Sequence, residues 1–452
     1  MSLSYRLPGT QIEEITSPSS VNPSSPQRTP CFIGTASAYI TVTNEEVTRG
    51  SGLTDSLAYT SSGIYEIIRC GSQKGLGNFV EDTHFTLVAN QILWTSTGVM
   101  DENAKYYVTY KYIRPTTDYI YKEFYSYEDV LADLGDNIPG NPLVMIANLS
   151  FRYYNLPKIA TVQVPVGETI DDYTEALDLT KYRDVQTPVC LTTNPLVQSV
   201  VVAHVTERSL PVNGRYRMTY LGAPVGTPVG TEDDPDSLRG LAAAIKNERV
   251  CFVNATRGLY YYNDPDTGEQ ASTVVNGSFI AAAIAAYRDS FIYPAASLLN
   301  KTVTGVELYD EDYDDYYSEY MLTLAGSSSL YLVAPSGGYM KVIDDLTTDN
   351  STVERNNVNI ITAKDYIARD VAIQMDRTFI GSLIKNRPQY GGVVLNYLKT
   401  LFKTYLNNNV IEQVGDLKVS LPADRRDTCN IYYSYYAIYV NKLIDGTYSI
   451  LL

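Results

Sequence analysis

Two histidines, one tryptophan and five cysteines in 452 residues leave little material for chemistry. His84 and His204 are the only imidazoles, and no Gly-x-Ser-x-Gly elbow exposes a nucleophilic serine. Gly75-Leu76-Gly77 has Val80 where a dinucleotide fingerprint needs its third glycine, and no Gly-Lys-Ser/Thr occurs anywhere. Cys31, Cys70, Cys190, Cys251 and Cys429 are odd in number, widely spaced and without a Cys-x-x-Cys pair. That spacing excludes a clustered metal site or a regular disulfide framework and reads as small buried apolar residues. No apolar run approaches the roughly 18–20 residues that span a bilayer. Met1–Pro30 has no basic start followed by an apolar stretch, so no secretion signal is expected and synthesis is cytoplasmic. The sequons at Asn148, Asn254, Asn276, Asn300 and Asn350 are then chance. Positive charge is scarce too. With 35 Lys and Arg against 51 Asp and Glu, the formal charge of -16 speaks against a nucleic-acid partner and keeps free copies apart.

Asp310-Glu311-Asp312-Tyr313-Asp314-Asp315 has the outline of a calcium loop. Counted from Asp310, however, Asp315 stands where the turn glycine belongs and Met321 where the bidentate glutamate belongs. An acidic first turn of a helix, favoured by the macrodipole, is the better reading. Asn263-Asp264-Pro265-Asp266-Thr267-Gly268 reads as a hairpin turn. No catalytic residue, metal or cofactor is expected, and His204 is read as a packed or interface histidine.

Tyrosine is abundant instead: 40 Tyr against 10 Phe. Tyrosine suits large, partly wet interfaces, and it equally well fills strand positions; both readings stand. The chain ends carry the other signal. Tyr5 to Ile15 is a short strand-like run broken at Pro8-Gly9, followed by a Ser- and Pro-rich tether, Ser17 to Thr29, too polar to pack. The other end, Cys429 to Leu452, is again strand-like and finishes on Ile450-Leu451-Leu452. So short a strand has to pair with its own body or with a neighbour.

Between the ends, Cys31 to Ala36 reads as a buried strand and Ile64 to Ile113 as a small barrel or sandwich. Helical stretches at Tyr127–Leu134, Pro142–Tyr154, Ile170–Lys181, Asn194–Arg208, Ser237–Asn247 and Gly277–Arg288 then alternate with β-branched runs. The runs are Ala160–Val164, Pro188–Leu191, Arg217–Leu221 and Val250–Val253. The alternation predicts a parallel α/β sheet covered on both faces. Beyond Asp349, Ile367, Val371, Met375, Phe379 and Leu383 recur every fourth residue on a helix over Asp365–Lys385. Val394, Leu398, Leu401 and Tyr405 mark a second helix, and Val414–Leu421 with Asn430–Val440 predict two antiparallel strands.

Taken in order, these elements resemble the sheath protein of a contractile phage tail. Pro8-Gly9-Thr10-Gln11-Ile12-Glu13-Glu14-Ile15 is similar to that family's amino-terminal Pro-Gly-aliphatic-x-aliphatic-Glu-Glu arm, although Gln11 stands where an aromatic or aliphatic residue is common. Phe32-Ile33-Gly34, Ser126-Tyr127-Glu128-Asp129-Val130, Tyr293-Pro294-Ala295 and the run from Leu324-Ala325-Gly326 to Leu330 also match, and the likeness in domain order covers nearly the whole chain.

The resemblance implies an α/β plus α+β multidomain fold with a central subtilase-like α/β domain. A β-rich inserted domain, present in only some members, would decorate the outside. The α+β carboxyl-terminal domain would be completed by exchanged terminal strands. The expected divisions are an arm and tether at 1–30, the β-rich insert at 31–117 and the α/β core at 118–349. A tube-facing helical part at 350–428 and a terminal strand and arm at 429–452 follow. The implied arm residues are Tyr5, Leu7, Pro8, Gly9, Thr10, Ile12, Glu13 and Ile15. The implied carboxyl-terminal inter-subunit strands carry Val414, Leu417, Val419, Ile431, Tyr433, Tyr435, Ile438 and Val440. Lys364 to Lys403 holds seven basic residues against three acidic ones. Arg369, Arg377, Lys385, Lys399 and Lys403 are the candidates for a patch facing an acidic tube, the alternative being a solvated helix face.

Such a protein is a non-enzymatic subunit of a bacteriophage virion, assembled in the host bacterial cytoplasm. It forms hexameric rings stacked around an inner tail tube and contracts to drive the tube through an envelope. Its partners would be further copies of itself, the tube protein, and baseplate and tail terminator proteins, with no nucleic acid and no membrane insertion. The rivals are the sheath of a related injection machine (a tailocin or secretion apparatus), a subtilase-like hydrolase, and a secreted adhesin.

Overall fold

A continuous apolar strand needs cover on both faces, and Pro30-Cys31-Phe32-Ile33-Gly34-Thr35 receives it. In the computed structural model this strand, β1 (Pro30–Thr35), runs through the middle of a sheet with Cys31, Phe32 and Ile33 fully buried. The structure describes residues 28–36, 39–58, 64–88, 91–96, 98–113, 119–165, 169–264, 268–381, 387–424 and 428–440.

After β1 the chain leaves the sheet and builds a separate β unit from β2 (Tyr39–Thr48), β3 (Thr54–Ser56), β4 (Ile64–Gly71), β5 (Phe85–Val88), β6 (Gln91–Trp94) and β7 (Lys105–Ile113). These form two three-stranded antiparallel sheets, ordered β2-β7-β4 and β3-β6-β5. Trp94, Phe85, Tyr106, Tyr110, Val108 and Ile92 fill the space between them. Buried Asp55 holds the two sheets in register, accepting from Trp94 Nε1 at 2.7 Å and the Tyr106 hydroxyl at 3.0 Å. The unit therefore begins at Tyr39. The segment 31–36, expected within it, belongs to the core sheet.

The chain re-enters through β8 (Tyr121–Phe124), α1 (Tyr127–Leu134) and α2 (Pro142–Asn148), which runs on into a π-turn at Leu149–Tyr153. It continues as β9 (Ile159–Val164), α3 (Ile170–Thr180), β10 (Thr187–Cys190), α4 (Pro195–Arg208), β11 (Thr219–Leu221), α5 (Leu238–Ile245) and β12 (Val250–Phe252). The helices start where local chemistry dictates. Ser126 caps α1, Thr169 and Asp172 form a capping box on α3, Asn194 with Pro195 opens α4, and Ser237 caps α5. The sheet order is β10-β1-β9-β8; β9 and β10 flank β1 in parallel, and β8 closes the edge antiparallel. The parallel pair β11-β12 lies beyond β10, joined through Met218 N donating to the Gln186 carbonyl at 2.9 Å. The sheet is thus mixed where a parallel one was expected.

The hairpin β13 (Arg257–Asn263) and β14 (Gln270–Asn276) follows, its strands registered Asn263 to Gln270 around the anticipated turn. Next comes α6 (Gly277–Asp289), an alanine-rich helix buried at every position but Tyr287. Asn276 Oδ1 caps it, accepting from Phe279 N at 3.2 Å. Two short strands, β15 (Thr302–Val303) and β16 (Val306–Leu308), precede the acidic segment. That segment forms a 3₁₀ turn at Asp310–Asp312 and a π-turn at Tyr313–Tyr317; α7 (Glu319–Ser327) starts only afterwards, capped by Ser318. The acidic run thus opens a helical segment, as expected, but one of 3₁₀ and π character that comes before α7. Its structural role is instead served by Asp312, whose two oxygens accept from Arg257 Nε and Nη2 at 2.8 and 2.7 Å.

The chain closes with β17 (Leu332–Ser336), β18 (Tyr339–Asp344), α8 (Val353–Asn356), α9 (Val358–Phe379), α10 (Arg387–Asn407), β19 (Gln413–Ser420) and β20 (Asn430–Tyr436). Among the described residues no helix is long and apolar enough to cross a membrane. The tyrosines divide between core and surface: Tyr106, Tyr220, Tyr260 and Tyr331 are core residues, whereas Tyr125, Tyr182, Tyr320 and Tyr436 are exposed.

Candidate assembly interface

The apolar stripes of α9 and α10 dictate a helix pair, and a β-hairpin covers it. Ile367, Val371 and Met375 on α9 meet Val394, Leu398, Leu401 and Tyr405 on α10 in a separate small core. Buried Asp370 accepts from the Tyr405 hydroxyl at 2.7 Å and fixes the pair in register. α9 begins at Val358, seven residues before the expected start, and ends at Phe379, ahead of Gly381 with its φ of 82°.

β19 and β20 pair antiparallel from Gln413–Tyr436 to Ser420–Asn430. Their alternation puts Tyr433 in the small core, with Val414, Leu417, Val419, Ile431 and Tyr435 packed against it. Gln413, Lys418, Ser420, Tyr432 and Tyr436 point the other way and are exposed. A bulge at Gly415-Asp416 interrupts the ladder, and Asp416 N donates to Ser434 Oγ at 2.6 Å. Among the described residues the sheet consists of these two strands.

β20 stops at Tyr436, although a strand to Val440 was expected. Ile438 and Val440 lie beyond the strand, because the Ile438 carbonyl accepts from Asn359 Nδ2 on α9 at 3.1 Å instead of pairing with β19. The Tyr439 hydroxyl likewise donates to Glu354 Oε1 at 2.9 Å. At the opposite end the last two residues of the expected tether, Ser17–Thr29, are packed into the body, the rest lying outside the described residues. Arg28 and Thr29 are buried, with Arg28 Nε on Asp289 Oδ1 at 2.8 Å and Thr29 N on Gln186 Oε1 at 2.8 Å. Tyr5, Leu7, Pro8, Gly9, Thr10, Ile12, Glu13 and Ile15 lie outside the described residues, as does Lys385.

Of the other cationic candidates, Arg377, Lys399 and Lys403 are exposed. Arg369 is committed elsewhere: its Nη2 reaches both oxygens of Asp184 at 2.6 Å, in a cleft of about 440 Å³ lined by Arg183, Arg215 and Asp376. Nearby, buried Arg249 pairs with buried Asp365, and Lys364 Nζ stands 3.5 Å from Glu248 Oε1. These ion pairs tie α9 to the α/β core. They join residues 116 to 185 positions apart, which no local sequence pattern signals.

Among the described residues, His204 and Ser278 are each bound to neighbours other than one another. His204 Nε2 lies 2.5 Å from Arg217 Nη1 and 3.4 Å from Thr180 Oγ1. Ser278 at the head of α6 donates to Asn276 Oδ1 at 2.7 Å. No cluster of three potential metal ligands occurs among the described residues. Burial, reinforced by the Arg217 charge, pushes His204 from 6.5 down to about 3. The folded protein therefore holds this ring neutral while the unfolded chain binds a proton. The stability it contributes is full above pH 6.5 and is lost as pH falls toward 3, at about 1.4 kcal/mol per pH unit. Urea titrations at pH 7, 5 and 4 should show a shallower acid dependence for His204→Gln than for the parent.

No protein-family model and no curated protein matches the chain. Solved structures do. The chain is similar to one in the anti-feeding prophage baseplate, with 10% identity, a TM-score of 0.55, and 99% of this chain and 100% of that one covered. It is similar to the contracted helical sheath of the same prophage, with 11% identity, a TM-score of 0.53 and 99% of each chain covered. It is also similar to the contracted PVC sheath complex of an extracellular contractile injection system, with 12% identity, a TM-score of 0.51, and 99% and 98% covered. At such identities what is shared is the fold.

Proposed function

We propose that this chain is a non-enzymatic subunit of a contractile sheath, polymerising as stacked hexameric rings around an inner tube by β-strand exchange between copies. The observation that carries the reading is the small two-stranded β19-β20 sheet, in a chain that shares its fold with sheath proteins along almost its whole length. A sheet this small gains most from added strands, and the edges offer main-chain hydrogen bonds that survive tilting of the bodies they join. The added strands come from the amino-terminal Tyr5–Ile15 run and the carboxyl-terminal segment beyond Val440 of neighbouring copies. A central domain of subtilase-like topology, stripped of a triad, supplies the body. Tube, baseplate and terminator proteins are the further partners, and the particle is a phage virion assembled in the bacterial cytoplasm. A second reading, an injection device without a genome, is favoured by the origin of the similar structures in such systems; capsid and terminase genes beside this one decide for the phage.

Deletion of Met1–Val21 should leave a folded body that no longer forms cylinders visible by electron microscopy. Unchanged cylinders would overturn strand exchange. We also propose that Arg377, Lys399 and Lys403 face an acidic tube. Lys399→Glu with Lys403→Glu should weaken binding to the tube about tenfold at physiological salt while sparing self-assembly. Co-sedimentation of tube and sheath measures the first effect and microscopy the second; equal loss of both removes the patch from the tube interface.

A further inference from the structure

We infer that the two chain ends are coupled mechanically through a buried polar seam where the end of α6 meets the start of α9, so that tension between neighbouring subunits crosses this seam. The inference rests on the reading that both ends are bonded to other copies. Arg28, the root of the amino-terminal segment, donates from Nε to Asp289 Oδ1 at 2.8 Å and from Nη2 to Thr187 Oγ1 at 3.0 Å. Two residues later the chain becomes β1, flanked by parallel strands on both sides. A pull on Arg28 therefore strains the hydrogen bonds of β1 to both neighbours together, in shear, and does not peel one edge.

The path continues across α6. Arg288, next to Asp289 and fully buried, donates from Nη2 to Thr362 Oγ1 and to the Pro294 carbonyl, both at 2.6 Å. Thr362 lies in the second turn of α9, and its hydroxyl also reaches the Pro294 carbonyl at 2.6 Å. Asn359, three residues earlier on the same helix, donates to the Ile438 carbonyl, the root of the carboxyl-terminal segment. A few side-chain contacts thus connect residue 28 to residue 438. All five side chains on the path are buried, so water has poor access to replace a stretched bond. The β2–β7 unit hangs from the far end of β1, off this route.

The test holds the full chain by its two ends in an optical trap and records lifetimes under constant force. Arg28→Met with Asp289→Asn removes the charged pair without stranding either charge, and Thr362→Val is the milder seam variant should the double variant fail to fold. Arg257→Met with Asp312→Asn, another ion pair removed away from the seam, is the control. Seam variants should shorten the lifetime about tenfold, and the control should change it about twofold or less, since forced unfolding follows the unfolding rate. Lifetimes equal to the parent, or a control that shortens them equally, overturn the seam. Microscopy of the parent chain separates the two readings: absence of cylinders there counts against the sheath assignment, whereas trap lifetimes bear on the seam alone.

Discussion

Gly222→Ala should be among the most destabilising single substitutions in the chain, although it adds a single methyl group. A Cβ built on Gly222 would sit 2.1 Å from both the carbonyl carbon and the oxygen of Gly277, where the head of α6 crosses the end of β11. Gly277 is equally confined, since its own Cβ would stand 2.6 Å from the Ala223 carbonyl oxygen. Both contacts are with backbone, so no side-chain rotation relieves them, and α6 would have to lift away from the sheet it covers. The cost should exceed about 4 kcal/mol, a large share of the roughly 5–15 kcal/mol that holds a domain together. Gly226→Ala is the comparison. Gly226 has a φ of 84° with nothing within 4 Å, so that variant pays only backbone strain of about 1 kcal/mol. Thermal melts followed by circular dichroism should separate the two. A Gly222→Ala chain melting like Gly226→Ala would show that the crossing has slack.

Arg249→Met should cost about 3–5 kcal/mol at neutral pH, because it leaves the Asp365 carboxylate buried without its cation. The sign of the accompanying pH dependence distinguishes this from lost packing. A buried, unpaired carboxylate titrates above its unfolded value near 3.9, so the folded variant holds a proton that the unfolded chain releases. The deficit should then be small near pH 4 and grow as pH rises. Arg249→Met combined with Asp365→Leu should recover most of the loss, as buried ion pairs replaced by apolar residues often do. A deficit that is flat with pH, or that persists in the double variant, would assign the effect to the methionine itself.

Much of the core was legible because its signals are local. The caps at Ser126, Thr169, Asn194 and Ser237 mark helix starts, and the Ile280–Ala286 run announces a helix buried all round. What escaped depends on distant partners. β2 escapes the sequence because Asn44-Glu45-Glu46 looks polar, and only the bulged pairing with β7 makes it a strand. The early start of α9 was hidden because Asn357 makes no side-chain cap bond to mark it. On the β19-β20 hairpin the inward residues of β20 follow from alternation alone, whereas those of β19 change register at the Gly415-Asp416 bulge. The loss of Arg369 to Asp184 and the turning aside of Ile438 toward Asn359 have no local signal either, since each is settled by a residue far along the chain.

One feature of the β2–β7 unit bears on how such a chain changes over time. Tyr39, where the chain leaves the core, and Ile113, where it returns, are direct cross-strand partners. The two junctions are therefore about one strand spacing apart, roughly 5 Å. A cassette with neighbouring ends can be swapped, enlarged or shed while the body keeps its shape, because the gap to be bridged stays the same. Lineages sharing this scaffold are free to dress it differently at that doorway, and a foreign module with adjacent termini could be grafted there.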